Sequence, residues 1–318
     1  MKSIILAAGF GTRLLPLTKE RPKSLFPVLN KPVIEIQIQI LKRAGVDKIG
    51  INLHYMPHQI KAYLGNGESL GVQIEYKYEK EILNTGGGLS NFRDFIGDQE
   101  DFIVHNCDIL SNIDLYNALK CHKEKKSIVT FILVDNPPAN SVLIDKNMKI
   151  IDIAGRLGIE AREEDKYLCG SGIFIYNKRI FDYIPLPHRP FPLIPEIIEI
   201  IQNQPGTVNA YIPGDNTYWR DIGSLKQYFL VNSEILTGRF SLQKINIPGE
   251  EIPGNGLLIG KNCDIPGDVE ISGFACIGDN VKIDSGCNIE NCIIWDGAIL
   301  KRGIYRNMII SQQTEIYI

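Results

Sequence analysis

The hydrophobic pattern of the first two-thirds of the chain predicts strands that alternate with helices. Short apolar segments recur between amphipathic stretches, and some are near-continuously apolar, as strands buried on both faces tend to be (Ser3–Ala7, Lys48–Leu53, Phe102–His105). Further strands are predicted at Val72–Tyr76, Ile128–Val134 and Gly172–Tyr176. This alternation is typical of an α/β domain with a mixed, mostly parallel sheet.

One segment is locally ambiguous. Residues Val33–Ile40 alternate apolar and polar positions with a period of two, which is the pattern of a strand. Pro32 suits a helix start and Ala44-Gly45 suits a helix end, so we predict a helix here. A second helix is predicted at Ser224–Leu236.

The last third of the chain carries a strict six-residue period of isoleucines, at Ile259, Ile265, Ile271, Ile277, Ile283 and Ile289. A second register follows four positions later, at Cys263, Val269, Ala275, Val281, Cys287 and Ile293. No helix has this period, and it predicts a left-handed parallel β-helix of roughly three coils, with the repeated residues filling its axis. We expect a catalytic domain at 1–237, a linker at 238–252 and the β-helix at 253–318, the last acting as a cap or oligomerisation surface.

Composition narrows the function classes. The chain has 318 residues and a net charge of -3, which gives no electrostatic footprint for nucleic acid or an anionic membrane. The apolar N-terminal stretch is too short for a signal peptide, and no apolar run approaches the ~20 residues of a membrane span. The seven cysteines form no CxxC pair, so we expect core packing and a reduced, cytoplasmic protein.

The strongest chemical signal is Leu6-Ala7-Ala8-Gly9-Phe10-Gly11-Thr12-Arg13-Leu14, followed by Pro22-Lys23-Ser24-Leu25. A buried strand leads into a turn in which Gly9 and Gly11 let backbone N–H groups approach phosphate oxygens. Arg13 adds a planar fork that suits phosphate, and Lys23 adds a compact positive charge. Two glycines after a strand are weak evidence alone, but the complete pattern is specific.

These motifs resemble the fingerprint of the sugar-1-phosphate nucleotidyltransferase (nucleotide-sugar pyrophosphorylase) family. The resemblance extends along nearly the whole chain, through Asn30-Lys31-Pro32, Thr85-Gly86-Gly87, Asp108, Ser171-Gly172-Ile173 and Trp219-Arg220-Asp221-Ile222-Gly223. The hexapeptide tail is similar to that of mannose-1-phosphate guanylyltransferases. The resemblance implies a Rossmann-like nucleotidyltransferase domain that joins a nucleoside triphosphate to a sugar 1-phosphate and releases pyrophosphate.

The resemblance also implies roles for individual residues. Arg13 and Lys23 would be catalytic, with Lys23 at the α-phosphate. The nucleotide would be bound by Leu6, Ala7, Ala8, Gly9, Gly11, Thr12, Arg13, Lys23, Thr85, Gly86 and Gly87. The last two glycines would lie flat against the base. Asp108 and Asp221 would hold Mg²⁺, and the sugar would contact Glu81, Ser171, Gly172 and Glu196.

Physical chemistry supports part of this assignment. Asp108 follows a predicted strand, and open α/β sheets bind ligands at the carboxyl ends of their strands. An N-cap for the next helix explains Asp108 equally well, and a surface pair with Arg220 would explain Asp221. Mg²⁺ needs only one or two carboxylates when substrate phosphates supply the other ligands. A sugar phosphate is already a nucleophile, so the protein must supply positioning and charge stabilisation.

The chain departs from the family pattern at two points. Asn106-Cys107-Asp108 stands where Gly-Asp is frequent, and no Glu-Lys-Pro segment supplies a lysine for the sugar phosphate. Arg156 or Lys166 could take that place.

Three alternatives frame the functional prediction. An acyltransferase is disfavoured because residues 253–318 contain no histidine base. A non-catalytic regulatory protein that binds a nucleotide sugar is disfavoured because Arg13, Lys23, Asp108 and Asp221 are all present. Within the enzyme class we favour GTP and mannose 1-phosphate, with a uridylyltransferase or a heptose-1-phosphate guanylyltransferase as the alternative. We expect a homo-oligomer formed through the β-helix, and little effect on chemistry from its deletion.

Overall fold

A computed structural model of the chain describes residues 1–187, 189–239 and 256–318. Its strands are β1 (Lys2–Leu6), β2 (Pro27–Val28), β3 (Lys31–Pro32), β4 (Lys48–Leu53), β5 (Gln73–Tyr78), β6 (Asp101–Asn106), β7 (Ile109–Ser111), β8 (Val129–Val134), β9 (Val142–Ile144), β10 (Ile150–Ile153), β11 (Lys166–Asn177), β12 (Val208–Tyr211), β13 (Trp219–Asp221), β14 (Leu257–Ile259), β15 (Glu270–Ile277), β16 (Lys282–Ile283), β17 (Asn288–Ile294), β18 (Ile299–Leu300), β19 (Ile304–Ile310) and β20 (Glu315–Tyr317).

The α-helices are α1 (Val33–Arg43), α2 (Pro57–Leu64), α3 (Asn84–Ser90), α4 (Arg93–Ile96), α5 (Leu115–Glu124), α6 (Ile194–Asn203) and α7 (Leu225–Leu236). Short 3₁₀ turns lie at Thr12–Leu14, Leu17–Lys19, Lys23–Leu25, Glu68–Leu70, Pro137–Ala139 and Lys178–Asp182. Among the described helices, none is long and apolar enough to cross a bilayer.

The chain divides into two compact units. The sheet unit comprises Met1–Gly9, Ile38–Ile109 and Ile113–Trp219, and the loop unit comprises Phe10–Gln37, Leu110–Asn112 and Arg220–Ile318. The units do not follow the predicted linear division at 237 and 253, because residues 10–37 cluster with the C-terminal strands. Most of the predicted linker, 238–252, lies outside the described residues.

The sheet unit is built on a mixed sheet in which nine of the described strands take part, with the central order β10-β9-β11-β6-β1-β4-β5. Strands β6, β1, β4 and β5 run parallel, and β8 pairs with β12 in parallel. The long strand β11 runs antiparallel to both β6 and β8. The predicted parallel strands are therefore present, and β11 is the element that makes the sheet mixed.

Burial explains why the parallel strands read as continuous apolar runs. Ile4 and Ile5 of β1 are both fully buried, as are Ile49 and Ile51 of β4. Side chains of adjacent positions point to opposite faces of a strand, so both faces of the sheet are covered here. Helix α6 packs against β10 and β12 on the sheet unit's own core, which contains Ile197, Ile200 and Val208.

In the loop unit, the C-terminal strands stack in parallel as β14-β15-β17-β19, with β20 antiparallel at the end. Leu257 pairs with Ala275, 18 residues later, and Ile271 pairs with Ile289, again 18 residues later. We name residues 256–318 the C-terminal strand stack. Its spacing of three six-residue repeats per layer matches the periodicity of the sequence.

The period breaks once inside the stack. The β15–β17 register shifts, so that Ala275 pairs with Cys292, 17 residues later. Cys292 and Ile294 therefore belong to the interior cluster, with Ala275 and Ile277. The predicted interior position of Ile293 is wrong by one residue: Ile293 pairs with Cys276 on the opposite side of the strand. A one-residue shift exchanges the two faces of a strand.

Residues 33–43 form a helix, as predicted, despite their period-two pattern. Residues 34, 36, 38 and 40 are buried, but so are 33, 37 and 41, so the helix is covered on more than one side. The helical segment Asn84–Ser90 was not predicted, because its three consecutive glycines disfavour a helix.

Candidate active site

The Gly11–Lys23 segment of the loop unit folds around a left-handed glycine. Gly11 has a φ of 64°, and a Cβ at this position would lie 3.0 Å from Thr18 Cγ2 and 3.3 Å from Lys23 Cβ. Leu14 N–H donates to Gly11 O at 2.9 Å and closes the turn. Only glycine combines this conformation with so close an approach of the lysine stem. The structure therefore brings together two predicted nucleotide-binding residues, Gly11 and Lys23.

Arg13 and Asp221 converge on Gly223, although more than 200 residues separate them in the chain. A Cβ on Gly223 would lie 2.7 Å from Arg13 Nη2 and 2.8 Å from Asp221 Oδ1. Gly223 N–H donates to Asp221 Oδ1 at 2.8 Å and fixes the position of the carboxylate. The absent side chain of Gly223 thus makes room for a guanidinium beside a carboxylate.

The cationic groups of this site are open to ligand. Thr12 and Arg13 are exposed and Lys23 is half-buried, while a Cβ at the exposed Gly9 would meet no atom within 4 Å. A guanidinium and an ammonium at such a surface can bind the oxygens of a phosphate chain.

In the sheet unit, a buried polar relay lies at the carboxyl ends of β1, β4 and β5. Ala7 N–H donates to Asn52 Oδ1 at 2.6 Å, and Asn52 Nδ2 donates to Glu79 Oε1 at 2.7 Å. The other carboxylate oxygen of Glu79 accepts from Leu83 N–H at 3.0 Å. Asn52 and Glu79 are 4% and 6% exposed, so buried donors and acceptors are satisfied within the relay. It fixes the start of the Ala7–Gly9 turn.

Sequence reasoning missed Asn52 and Glu79. The available signal was an amide within the apolar run of β4 and a carboxylate directly after β5, both at strand ends where ligands bind. Glu81, the glutamate that we predicted near the sugar, is exposed two residues further on.

The glycines of α3 have a different physical reason from the one predicted. A Cβ on Gly86 would lie 2.3 Å from Phe191 Cε2, and one on Gly87 would lie 2.4 Å from Arg189 O. Gly86 N–H donates to Phe191 O at 3.1 Å, and Leu193 N–H donates to Thr85 Oγ1 at 3.2 Å. The missing side chains therefore admit the segment Arg189–Leu193, and both glycines are buried beneath it.

Asp108 lies two residues after β6 and is half-buried. The predicted sugar residue Gly172 lies close to the same turn, because a Cβ on it would be 3.0 Å from Asn106 Nδ2 and 2.9 Å from Ile109 Cγ1. Gly172 has a φ of 79° and lies where the β11–β8 register shifts, so the strand bulges toward the end of β6. Ser171 is fully buried, and its carbonyl accepts from Trp219 Nε1 at 2.8 Å.

Glu196 lies in the first turn of α6, three residues after Leu193 contacts Thr85. It is half-buried. The described contacts bring the segment before α6 to α3, and they do not join Glu196 to Ser171 or Gly172.

His105, on β6 before the Asp108 turn, is fully buried. Desolvation by burial lowers the pKa of His105 to about 4, against smaller opposing effects from its bond to Asn106 O and the charge of Asp108. The imidazole is therefore neutral at neutral pH, and the positive charges available in the described site are those of Arg13 and Lys23.

The predicted residues fall into one group in each unit. The loop unit holds Gly11, Thr12, Arg13, Lys23 and Asp221, and the sheet unit holds Leu6, Ala7, Ala8, Gly9, Glu81, Thr85, Gly86, Gly87, Asp108, Ser171, Gly172 and Glu196. Of the loop-unit residues, Arg13 approaches Asp221, and Gly11 approaches Lys23.

Comparisons with known proteins agree with these motifs. The model of the nucleotidyl transferase family matches residues 2–238. The chain is 31% identical to UTP–glucose-1-phosphate uridylyltransferase of Synechocystis sp., over 96% of this chain and 82% of that protein. It is 32% identical to mannose-1-phosphate guanylyltransferase 1 of Arabidopsis thaliana, over 95% of this chain and 83% of that protein.

The fold is also similar to that of solved structures. The crystal structure of HddC from Yersinia pseudotuberculosis aligns with a TM-score of 0.59 and 25% identity, over 73% of this chain and 98% of that chain. The chain therefore belongs to the sugar-1-phosphate nucleotidyltransferase family. The predicted class of enzyme and its mixed α/β fold are confirmed.

Proposed function

We propose that this enzyme transfers a guanylyl group from GTP to mannose 1-phosphate. The convergence of Arg13 and Asp221 at Gly223, next to a segment that holds Lys23 against Gly11, is the observation that carries the proposal. It supplies the cations that a triphosphate needs and a carboxylate for a divalent ion. The relatives named as mannose-1-phosphate guanylyltransferases support the choice of substrates, and the Synechocystis relative keeps UTP with a sugar 1-phosphate as the alternative.

The reaction needs no protein nucleophile. An oxygen of the sugar phosphate attacks the α-phosphorus of the nucleotide, the new P–O bond forms, and the bond from that phosphorus to the bridging oxygen breaks. Pyrophosphate leaves with the bonding electrons. Lys23 is proposed to stabilise charge on the α-phosphate and Arg13 charge on the departing pyrophosphate.

Mg²⁺ fits the chemistry of the proposed ligands. Asp108 and Asp221 offer hard carboxylate oxygens, and both side chains are half-buried. Strand β7 begins one residue after Asp108 and pairs with β13, which ends in Asp221. Among the described residues no group of three or more acidic, histidine or cysteine side chains could hold an ion, so substrate phosphates would complete the coordination. When bound, Mg²⁺ would neutralise charge on those phosphates.

The remaining contacts follow the same proposal. Leu6–Gly9, with Thr12 and Thr85, would bind the nucleoside, with the backbone of Gly86 and Gly87 near the base. Ser171 and Gly172 would contact the sugar through the bulge of β11, with Glu81 and Glu196 at its outer side. The parallel C-terminal strand stack, with its 18-residue layers, is proposed to be a left-handed β-helix, and a homo-oligomer is proposed to form through it.

A pyrophosphate-release assay with a panel of nucleotides tests the proposal. GTP, UTP, dTTP, CTP and ATP are each combined with mannose, glucose and heptose 1-phosphates in the presence of Mg²⁺. We expect the highest kcat/KM for GTP with mannose 1-phosphate. A preference for UTP would overturn the choice of base, and tight binding without turnover of any pair would favour the non-catalytic regulatory protein.

A further inference from the structure

The Gly11–Lys23 segment has little regular structure of its own. It contains two short 3₁₀ turns before the one that begins at Lys23, and its exposed residues include Thr12, Arg13 and Lys19. Such a segment needs outside contacts if Lys23 is to hold one position. All the contacts described next lie within the loop unit.

The first contact is made by Arg21, two residues before Lys23. Its guanidinium carbon lies 4.8 Å from the centre of the Trp295 ring, and its Nη2 lies 3.4 Å from Asp296 Oδ2. Arg21 is 25% exposed and Asp296 is 43% exposed, so water screens the ion pair in part. Stacking on the indole adds to it and fixes the plane of the guanidinium.

The second contact is made by Glu20. Its Oε1 accepts hydrogen bonds from Ser311 Oγ at 2.6 Å and from Thr314 Oγ1 at 2.7 Å. Ser311 is 6% exposed, and its own position is fixed because Ser311 N–H donates to Thr314 O. Two hydroxyl donors on one carboxylate oxygen form a charge-assisted pair in a partly buried place.

The third contact lies on the other side of Lys23. The Phe26 ring packs edge-on against Trp295 at 5.0 Å between centroids, and against Tyr228 at 5.3 Å. Trp295 Nε1 donates to Tyr228 Oη at 3.0 Å, and Tyr228 Oη donates to Pro27 O at 2.7 Å. Lys23 therefore lies between two anchors, and Trp295 belongs to both.

We propose that Trp295, Asp296, Ser311 and Thr314 are positioning residues for the nucleotide-binding segment, so that the C-terminal strand stack sets the position of Lys23. The inference rests on the proposed function for its catalytic consequence, and on the contacts alone for its structural one. A role in assembly alone would require no contact with Glu20 or Arg21.

The test compares two arginine variants of the strand stack's contacts. Arg21→Met keeps a long apolar stem beside Trp295 and removes the charge, and Arg21→Lys restores the charge without the planar group. Arg306→Met is the matched control: it breaks the Arg306–Glu290 pair of 3.0 Å, which lies between neighbouring strands of the same stack. Ser311→Ala combined with Thr314→Val removes the Glu20 contacts independently.

Amide hydrogen exchange of residues 10–26 is the first measurement, because it does not depend on turnover. We expect exchange in this segment about 10-fold faster in Arg21→Met and in the Ser311/Thr314 double variant, and unchanged in Arg306→Met. Equal exchange in Arg21→Met and wild type would overturn the inference, and so would acceleration spread evenly over residues 256–318.

Nucleotide binding is the second measurement, with GTP and UTP as probes in the presence of Mg²⁺. We expect Kd and the KM for the nucleotide to rise about 10-fold in Arg21→Met, with partial recovery in Arg21→Lys, while the KM for the sugar phosphate stays within about 2-fold. An equal rise in both KM values would contradict a specific effect on the nucleotide segment. If the wild type turns over no substrate pair, the proposed function fails, and the exchange result still decides whether the stack fixes this segment.

Discussion

The two compact units hold their candidate site residues by different means. In the sheet unit the residues sit at strand ends, and a short polar relay through Asn52 and Glu79 fixes the turn after β1. In the loop unit the Gly11–Lys23 segment is held by side chains from the far end of the chain, among them Trp295 and Ser311. The first arrangement follows from the sheet itself, whereas the second exists only when distant segments have packed.

The largest expected effect is on the cations of the loop unit. Lys23→Met and Arg13→Met should each lower kcat/KM by about 10²–10³, because each removes a group that stabilises charge in the transition state. Lys19→Met is the control, since Lys19 lies on the same segment and is exposed. Steady-state pyrophosphate release measures all three. Rates within a few-fold of wild type for Lys23→Met would remove that residue from the site.

Truncation of the anchor is expected to separate the units in stability. Trp295→Ala should lower the free energy of unfolding by about 3–5 kcal/mol, as for other buried tryptophans, and should also weaken nucleotide binding. Phe102→Ala, in the core of the sheet unit, should cost a similar amount. Chemical denaturation and nucleotide titration under conditions where both variants are folded make the comparison. A normal nucleotide Kd in Trp295→Ala would contradict the anchoring role.

The buried histidine of the sheet unit predicts a pH dependence. Because the pKa of His105 is lowered to about 4 in the folded protein, the unfolded chain binds more protons between about pH 6.5 and pH 4. The contribution of His105 is therefore fully present above pH 6.5 and is lost as pH falls, by at most about 3 kcal/mol. Denaturation of wild type and His105→Gln across this range measures it. Parallel stability curves for the two proteins would refute the assignment.

The smallest expected effect concerns α3. Gly86→Ala should destabilise the protein by about 1–3 kcal/mol, because the added carbon would lie 2.3 Å from the Phe191 ring and 2.9 Å from Phe191 O. Gly214→Ala is the control, since a Cβ there meets no atom within 4 Å. Thermal unfolding of both variants is the measurement. An unchanged midpoint for Gly86→Ala would show that the Arg189–Leu193 segment yields at little cost.

Much of the sheet unit could be predicted from the sequence, because its signals are local. Apolar runs gave β4 with its observed bounds and gave β1 and β6 to within a residue or two. The helix Val33–Arg43 was predicted from Pro32 and Gly45 against its own alternation. Helix α3 was missed because its glycines serve a tertiary contact with Phe191, which no local pattern encodes.

The loop unit was predictable only in part. The six-residue period indicated the parallel layers, yet the 17-residue step between Ala275 and Cys292 moved Ile293 out of the predicted interior. The contacts of Glu20 and Arg21 join positions nearly 300 residues apart, and neither residue stands out as an anchor in the sequence. The expectation that the C-terminal strands could be deleted with little effect on chemistry is therefore replaced by the anchoring role that we propose.

A double-mutant cycle on the two aspartates tests the central claim most directly. Asp108→Asn, Asp221→Asn and the double variant are compared by kcat/KM at saturating Mg²⁺. If both carboxylates act on one ion, each single change should cost about 10²–10³, and the double variant should be about as slow as the slower single one. Losses that multiply across the cycle would contradict a shared metal site.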